Sequence, residues 1–145
     1  MGTQPPLVPV SIGLKSEIRH PGQELDIMEL DLHGSIMEKA GKRYLRYEET
    51  NNGAVVKTTV KLDPEDAVIM RTGAVRMRLP FAPDGMRLGS YANGPLELDL
   101  RVVTNALVLT EDRNSGEFHV RYDMHAEDGL LGSYELTITY AEGTR

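Results

Sequence analysis

Apolar and polar residues alternate along nearly the whole chain, in short runs cut by turn residues. Val10, Ile12, Leu14 and Ile18 alternate with Ser11, Gly13, Lys15 and Arg19. A period of two puts one set on each face of a β-strand. His20-Pro21-Gly22 predicts a turn. Leu25 and Ile27 open a second strand, and Leu30 and Leu32 continue it in the opposite phase. That one-residue slip predicts a β-bulge at Met28-Glu29. Leu25, Met28 and Leu32 also fit helical spacing, but strand is the preferred reading. Ser35-Ile36-Met37-Glu38 has the outline of a helix capping box. Gly41 arrives too soon for a helix, and a short third strand ending at Ala40-Gly41-Lys42 is expected instead.

The clearest hairpin lies at the centre of the chain. RYLRYEE and AVVKTTVKL flank Thr50-Asn51-Asn52-Gly53, where Asn and Gly supply the positive φ values of a tight turn. With Glu49 opposite Ala54, Tyr47 lies beside Val56 and Leu45 beside Thr58. Leu45, Tyr47, Val56, Val60 and Leu62 then share one face. Tyr44, Arg46, Glu48, Lys57, Thr59 and Lys61 share the other. A one-residue slip would mix the two sets, so burial enforces the pairing.

The ladder continues to the C-terminus. Asp63-Pro64-Glu65-Asp66 predicts a turn and Ala67 to Thr72 a strand, broken at Gly73. Val75, Met77, Leu79 and Phe81 alternate with Arg76 and Arg78, up to a turn at Ala82-Pro83-Asp84-Gly85. Met86 to Tyr91 is a short strand, and Asn93-Gly94-Pro95 turns into a long one carrying Leu96, Leu98, Leu100 and Val102. Asn105 marks a bulge or bend before Leu107 and Leu109. Phe118 to Met124 and, after Glu127-Asp128-Gly129, Tyr134 to Tyr140 complete the set. The fold class is therefore all-β. A single antiparallel meander of roughly eight to ten strands, closed into a barrel over residues 1–145, is expected, because closure removes exposed edges.

Composition narrows the chemistry. The 145 residues contain no cysteine, which excludes disulfides, thiolate zinc sites and cysteine nucleophiles. The opening MGTQPPLVPV lacks the features of a signal peptide, and no apolar run reaches the roughly 20 residues of a membrane helix. A soluble cytoplasmic protein that binds neither membrane nor nucleic acid is expected, the latter because net charge is −6. The charge is uneven. Residues 1–38 carry two bases and six acids, residues 39–87 ten and six, and residues 88–145 four and ten. The basic surplus of the central hairpins suits either ordinary solvated strand faces or an anion-binding face.

The candidate site residues come from that central region: Tyr44, Arg46, Tyr47, Glu48, Lys57, Arg71, Arg76, Met77 and Arg78. The planar fork of arginine suits carboxylate and phosphate. The competing reading is cross-strand pairing on the solvent side, such as Glu48 with Lys57. If the apolar row faces inward, Arg76 and Arg78 face outward, and only Arg71, displaced by the Gly73 break, reaches the interior. The histidines give no metal signal. His119 and His125 lie about 20 Å apart along one strand, and His20 and His33 read as loop residues. Ser90 and Ser133 lack the Gly-x-Ser-x-Gly elbow, so no nucleophile stands out. The seven methionines serve as core filler or as lining of an adaptable cavity.

The run from Tyr44-Leu45-Arg46-Tyr47-Glu48-Glu49-Thr50 through Lys57-Thr58-Thr59-Val60-Lys61 to Met70-Arg71-Thr72-Gly73-Ala74-Val75-Arg76-Met77-Arg78 resembles the YwiB-like family. These are small bacterial β-barrel proteins of unknown function. The likeness extends to Ile18-Arg19-His20-Pro21-Gly22-Gln23 and Leu130-Leu131-Gly132-Ser133-Tyr134. It implies a calycin-like (lipocalin-type) closed barrel and no assigned activity. The chain has no tryptophan, so the Gly-x-Trp signature of true lipocalins is absent.

Three functions follow as expectations. The first is a binding barrel for a small apolar or amphipathic anionic ligand, its body against Tyr47, Val60, Val75, Met77 and Leu79 and its head at an arginine. The second is a non-enzymatic interaction protein using the basic outer face of residues 39–87, against an acidic partner or in a homodimer. The third is an isomerase-like enzyme with Glu48 as its acid or base. No cofactor and no metal are expected.

Overall fold

The computed structural model describes residues 7–51, 53–83, 85–127 and 129–143. Ten antiparallel strands run in chain order: β1 (Val8–Arg19), β2 (Asp26–Lys39), β3 (Lys42–Asn51), β4 (Ala54–Leu62), β5 (Ala67–Gly73), β6 (Arg76–Phe81), β7 (Met86–Asn93), β8 (Leu96–Glu111), β9 (Ser115–Ala126) and β10 (Gly129–Glu142). Each pairs with its neighbour in sequence, and β1 pairs with β10 to close the barrel. Among the described residues no helix is long and apolar enough to cross a membrane.

Local differences from the sequence reading have physical causes. β1 and β2 pair without a slip from Val8↔Ile36 to Ile18↔Asp26, so there is no bulge at Met28-Glu29. Ile27 stays 52% exposed on the outer face, and no burial demand shifts the register. Ser35 to Glu38 is the end of β2 rather than a third strand. It turns through Ala40 and Gly41, both at positive φ (54° and 78°), as a two-residue hairpin requires. The central hairpin turns more tightly than expected: Asn51 opposes Ala54, Glu49 opposes Val56 and Tyr47 opposes Thr58. The register moves by two residues, so the assignment of faces survives. Asn52, Asp84 and Asp128, the predicted turn positions, lie outside the described residues, as does the opening MGTQPP. The bulge expected at Asn105 is present, between Thr104 and Ala106 of β8. His33, expected in a loop, lies in β2 opposite Ser11.

The inward rows stack into two different halves. In the packed half Ile36, Leu45, Val60, Ile69 and Leu79 form one buried rung across β2 to β6. Val10, Phe81, Phe118 and Ile138 are among the residues packed with it. Each such side chain contributes about 1.5–3 kcal/mol by leaving water. Beyond them Arg43 lies over the Tyr140 ring and its Nη1 donates to Glu111 at 2.8 Å. The Tyr140 hydroxyl donates to the same carboxylate at 2.6 Å. Lys42 donates to Asp63 at 2.6 Å, and the Asp63 carboxylate also accepts from the backbone N–H groups of Glu65 and Asp66. This end of the barrel, which holds the β2–β3, β4–β5 and β8–β9 turns, is filled and tied.

Candidate functional site

The next inward rung toward the other end changes character. Tyr47 opposes Thr58, Thr58 opposes Arg71, and Arg71 opposes Met77. One rung thus lines up a phenol, a hydroxyl, a guanidinium and a thioether across four strands. Arg71 points inward by plain alternation with Ala67 and Ile69, not through displacement at Gly73. Glu49, one rung further out on β3, faces inward with Tyr47 and Leu45, and its carboxylate lies 3.6 Å from the Arg71 guanidinium.

These groups border a cavity of about 290 Å³ at the end carrying the β1–β2, β3–β4, β5–β6 and β9–β10 turns. Tyr122 and Tyr134 form one wall, stacked with ring centroids 5.0 Å apart and planes 10° apart. Phe81 supports Tyr122 from the core side at 4.8 Å. His20 meets Tyr134 edge-on and its Nδ1 donates to the Leu131 carbonyl at 3.1 Å. Met28, Met77 and Met124 line the remainder with apolar residues of β1, β5 and β10. Met28 is 45% exposed, so solvent reaches this end of the barrel.

The electrostatics follow from burial. Desolvation, reinforced by the Glu49 carboxylate, pushes the Tyr47 phenol up to about 12; Thr58 and Arg71 act in the opposite direction. Burial raises Tyr122 too, with Tyr134 adding to the effect, and raises Tyr134 itself. All three therefore stay protonated at neutral pH and present neutral phenols. The Thr58 hydroxyl is buried, with the whole residue 2% exposed. Its Oγ1 has no well-formed hydrogen bond to any described residue, although the Tyr47 side chain stands directly opposite on β3.

The nine predicted site residues separate into distinct places. Tyr47, Arg71 and Met77 line the interior. Arg46, Glu48 and Lys57 lie on the outside, along a groove shared with His33 and Ser35. Glu48 directly opposes Lys57 and is exposed, so it is not the interior carboxylate. Arg76 and Arg78 flank a second outer groove, over β5 to β8. There the cross-strand order is Arg76–Ala92–Glu97 and Arg78–Ser90–Asp99, which sets an acid two strands from each arginine. Tyr44, half-buried, faces outward opposite Lys61. The central basic cluster is thus not one site. Of the ligand contacts expected, Leu79 borders the cavity, whereas Val60 is fully buried in the packed rung.

Sequence reasoning missed Glu49, Thr58, Tyr122 and Tyr134. Parity with Tyr47 and Val60 marked Glu49 and Thr58 as inward. Their meeting with Arg71 depended on the β3–β4–β5 register.

Fold and cavity together define a closed ten-stranded meander barrel, packed at one end and holding at the other a mostly apolar cavity with one polar rung. Residues 12–138 match the family described as a domain of unknown function (DUF1934), and the chain belongs to that family. It is 32% identical over 136 residues to the uncharacterized β-barrel protein YwiB of Bacillus subtilis (strain 168), covering 94% of this chain and 95% of that protein. The crystal structure of the ywiB protein from Bacillus subtilis matches with a TM-score of 0.84 at 30% identity, over 95% of this chain and 94% of that one. The YwiB-like resemblance read from the central hairpins therefore holds over nearly the full length.

Proposed function

We propose that the barrel is a binding protein for a small amphipathic ligand, used in the manner of a lipocalin. The apolar body lies against the methionines and the Tyr122–Tyr134 wall, and an anionic group meets Arg71. The observation that carries this reading is the inward rung Tyr47–Thr58–Arg71. A hydroxyl buried with nothing better than a poorly formed contact to Tyr47 is costly, and a barrel needing only stability would place valine there, as it does at Val60. A ligand oxygen at Thr58 and Arg71 recovers that cost. Thioethers and stacked phenols adapt to apolar shapes at little entropic cost. The outward rows carry charges such as Lys15, Glu29 and Arg46, which suit water rather than lipid; a cytoplasmic location is part of the proposal.

Native mass spectrometry of protein purified gently from its own host tests the reading. A reproducible added mass, absent after denaturation and absent from an Arg71→Ala variant, is the expected result. A clean apo mass from freshly lysed cells, with no uptake of a fluorescent amphipathic anion such as anilinonaphthalene sulfonate, would overturn it.

A further inference from the structure

The cavity holds two formal charges of opposite sign, and their geometry constrains what enters. Glu49 and Arg71 are the charged residues among those that border it. They stand 3.6 Å apart, outside direct hydrogen-bonding distance. The contrast with the packed end is informative, because there Arg43 closes on Glu111 at 2.8 Å and that carboxylate also accepts from Tyr140. At the cavity end the two charges neutralise each other while leaving their hydrogen-bonding directions unspent. The Arg71 and Glu49 side chains are 33% and 26% exposed, so both are reachable from the cavity mouth.

The donors are arranged asymmetrically. Arg71, the buried Thr58 hydroxyl, which forms no well-formed hydrogen bond, and the Tyr47 phenol share one rung. Glu49 stands beside them, one rung outward, as an acceptor. We infer that the ligand's head group is dipolar: a carboxylate received by Arg71, Thr58 and Tyr47, with an ammonium beside it received by Glu49, as in an α-amino acid bearing an apolar side chain. This rests on the small-ligand reading above and refines it.

Differential affinity gives the reason. A simple carboxylate that captured Arg71 would draw it from Glu49 and leave two like charges facing each other in a confined site. A simple amine at Glu49 would leave Arg71 without its counter-ion. A dipolar head satisfies both and disturbs neither. The volume, about 290 Å³, lies at the small end of ligand sites and suits an amino-acid-sized molecule rather than a long-chain lipid.

The test compares three probes with one alkyl body: octanoate, octylamine and α-aminooctanoate, titrated calorimetrically into the full chain. The expected result is that α-aminooctanoate binds at least about tenfold more tightly than either singly charged probe, since unpaired polar groups in a site exact that order of discrimination or more. In Glu49→Gln that preference should collapse, with octanoate gaining on α-aminooctanoate. If Glu49→Gln does not fold, the ranking on the unaltered protein decides alone. Octanoate binding as well as or better than α-aminooctanoate overturns the dipolar head and leaves the small-ligand reading standing. Binding of none of the three overturns the dipolar head as well. The small-ligand reading is then judged separately, by the native mass and the dye.

Discussion

Arg71 and Glu49 approach to 3.6 Å across a strand that belongs to neither of them. Glu49 lies on β3 and Arg71 on β5, with β4 between. Tyr47–Thr58–Arg71 is one rung, and Glu49–Val56–Gly73 is the next, so the pair is diagonal. Gly73 adopts φ 107°, and a Cβ there would collide with the Val55 carbonyl oxygen. The close pass of β5 over β4 at this end therefore depends on glycine.

Replacing Arg71 with alanine should separate function from stability. The pair is partly solvated, and such pairs contribute under about 1 kcal/mol. Uptake of anilinonaphthalene sulfonate should nevertheless weaken at least about tenfold, because a hydrogen bond to a charged group is worth about 1.5–3 kcal/mol. Urea unfolding and a fluorescence titration on the same preparation check both halves.

Replacing Arg76 and Arg78 together should do neither. Both are outward and exposed, and each has an acid two strands away. Surface changes of this kind stay within about 0.5 kcal/mol. Dye uptake should be unchanged. If uptake falls to the Arg71→Ala level, the ligand lies in the outer groove and not in the barrel.

Much of this was legible from alternation alone. The strands, the all-β class and the bulge at Asn105 follow from where Val, Leu and Ile recur. The faces of the central hairpin survived a two-residue error in register because parity is insensitive to an even shift. What parity cannot supply is which inward residues become neighbours. Glu49 reads as inward from its place after Tyr47, but its meeting with Arg71 requires two registers in succession. The Tyr122–Tyr134 stack depends on an irregularity between Leu130 and Gly132, which no local turn signal announces. Arg71 reaches the interior by simple alternation from Ala67 and not through the Gly73 break.

Gly34 should resist substitution. It faces Tyr47 across β2 and β3, and a Cβ there would collide with the Arg46 carbonyl oxygen and stand 2.7 Å from Cδ1 of Ile12. Backbone cannot yield as a side-chain tip can. Gly34→Ala should cost about 1–3 kcal/mol, measured as a lower urea midpoint. Gly41→Ala, where nothing lies within 4 Å but φ is 78°, should cost through backbone strain alone, about 1–2 kcal/mol.

Acid should loosen the packed end through Asp63. The Lys42 hydrogen bond, then the Glu65 backbone N–H, holds its carboxyl below the usual range. A carboxylate with a depressed folded value adds stability that is whole above the unfolded value, about 4, and is lost as pH falls through the folded one. Asp63→Asn lacks that component. The stability gap between the two proteins should stay level from about pH 7 to 5 and narrow below about pH 4. Urea midpoints across pH measure it, and a gap that stays constant into strong acid would remove Asp63 from the account.

The methionines offer the most direct reading of where a ligand sits. Met28, Met77 and Met124 border the cavity, whereas Met37, Met70 and Met86 lie on outward rows of β2, β5 and β7. Methyl-labelled protein titrated with α-aminooctanoate or octanoate reports both sets in one carbon–proton spectrum. The account predicts saturable shifts at Met28, Met77 and Met124, with Met37, Met70 and Met86 unmoved. Shifts confined to the outer set, or no shift in any methyl while the native mass stays clean, would contradict it.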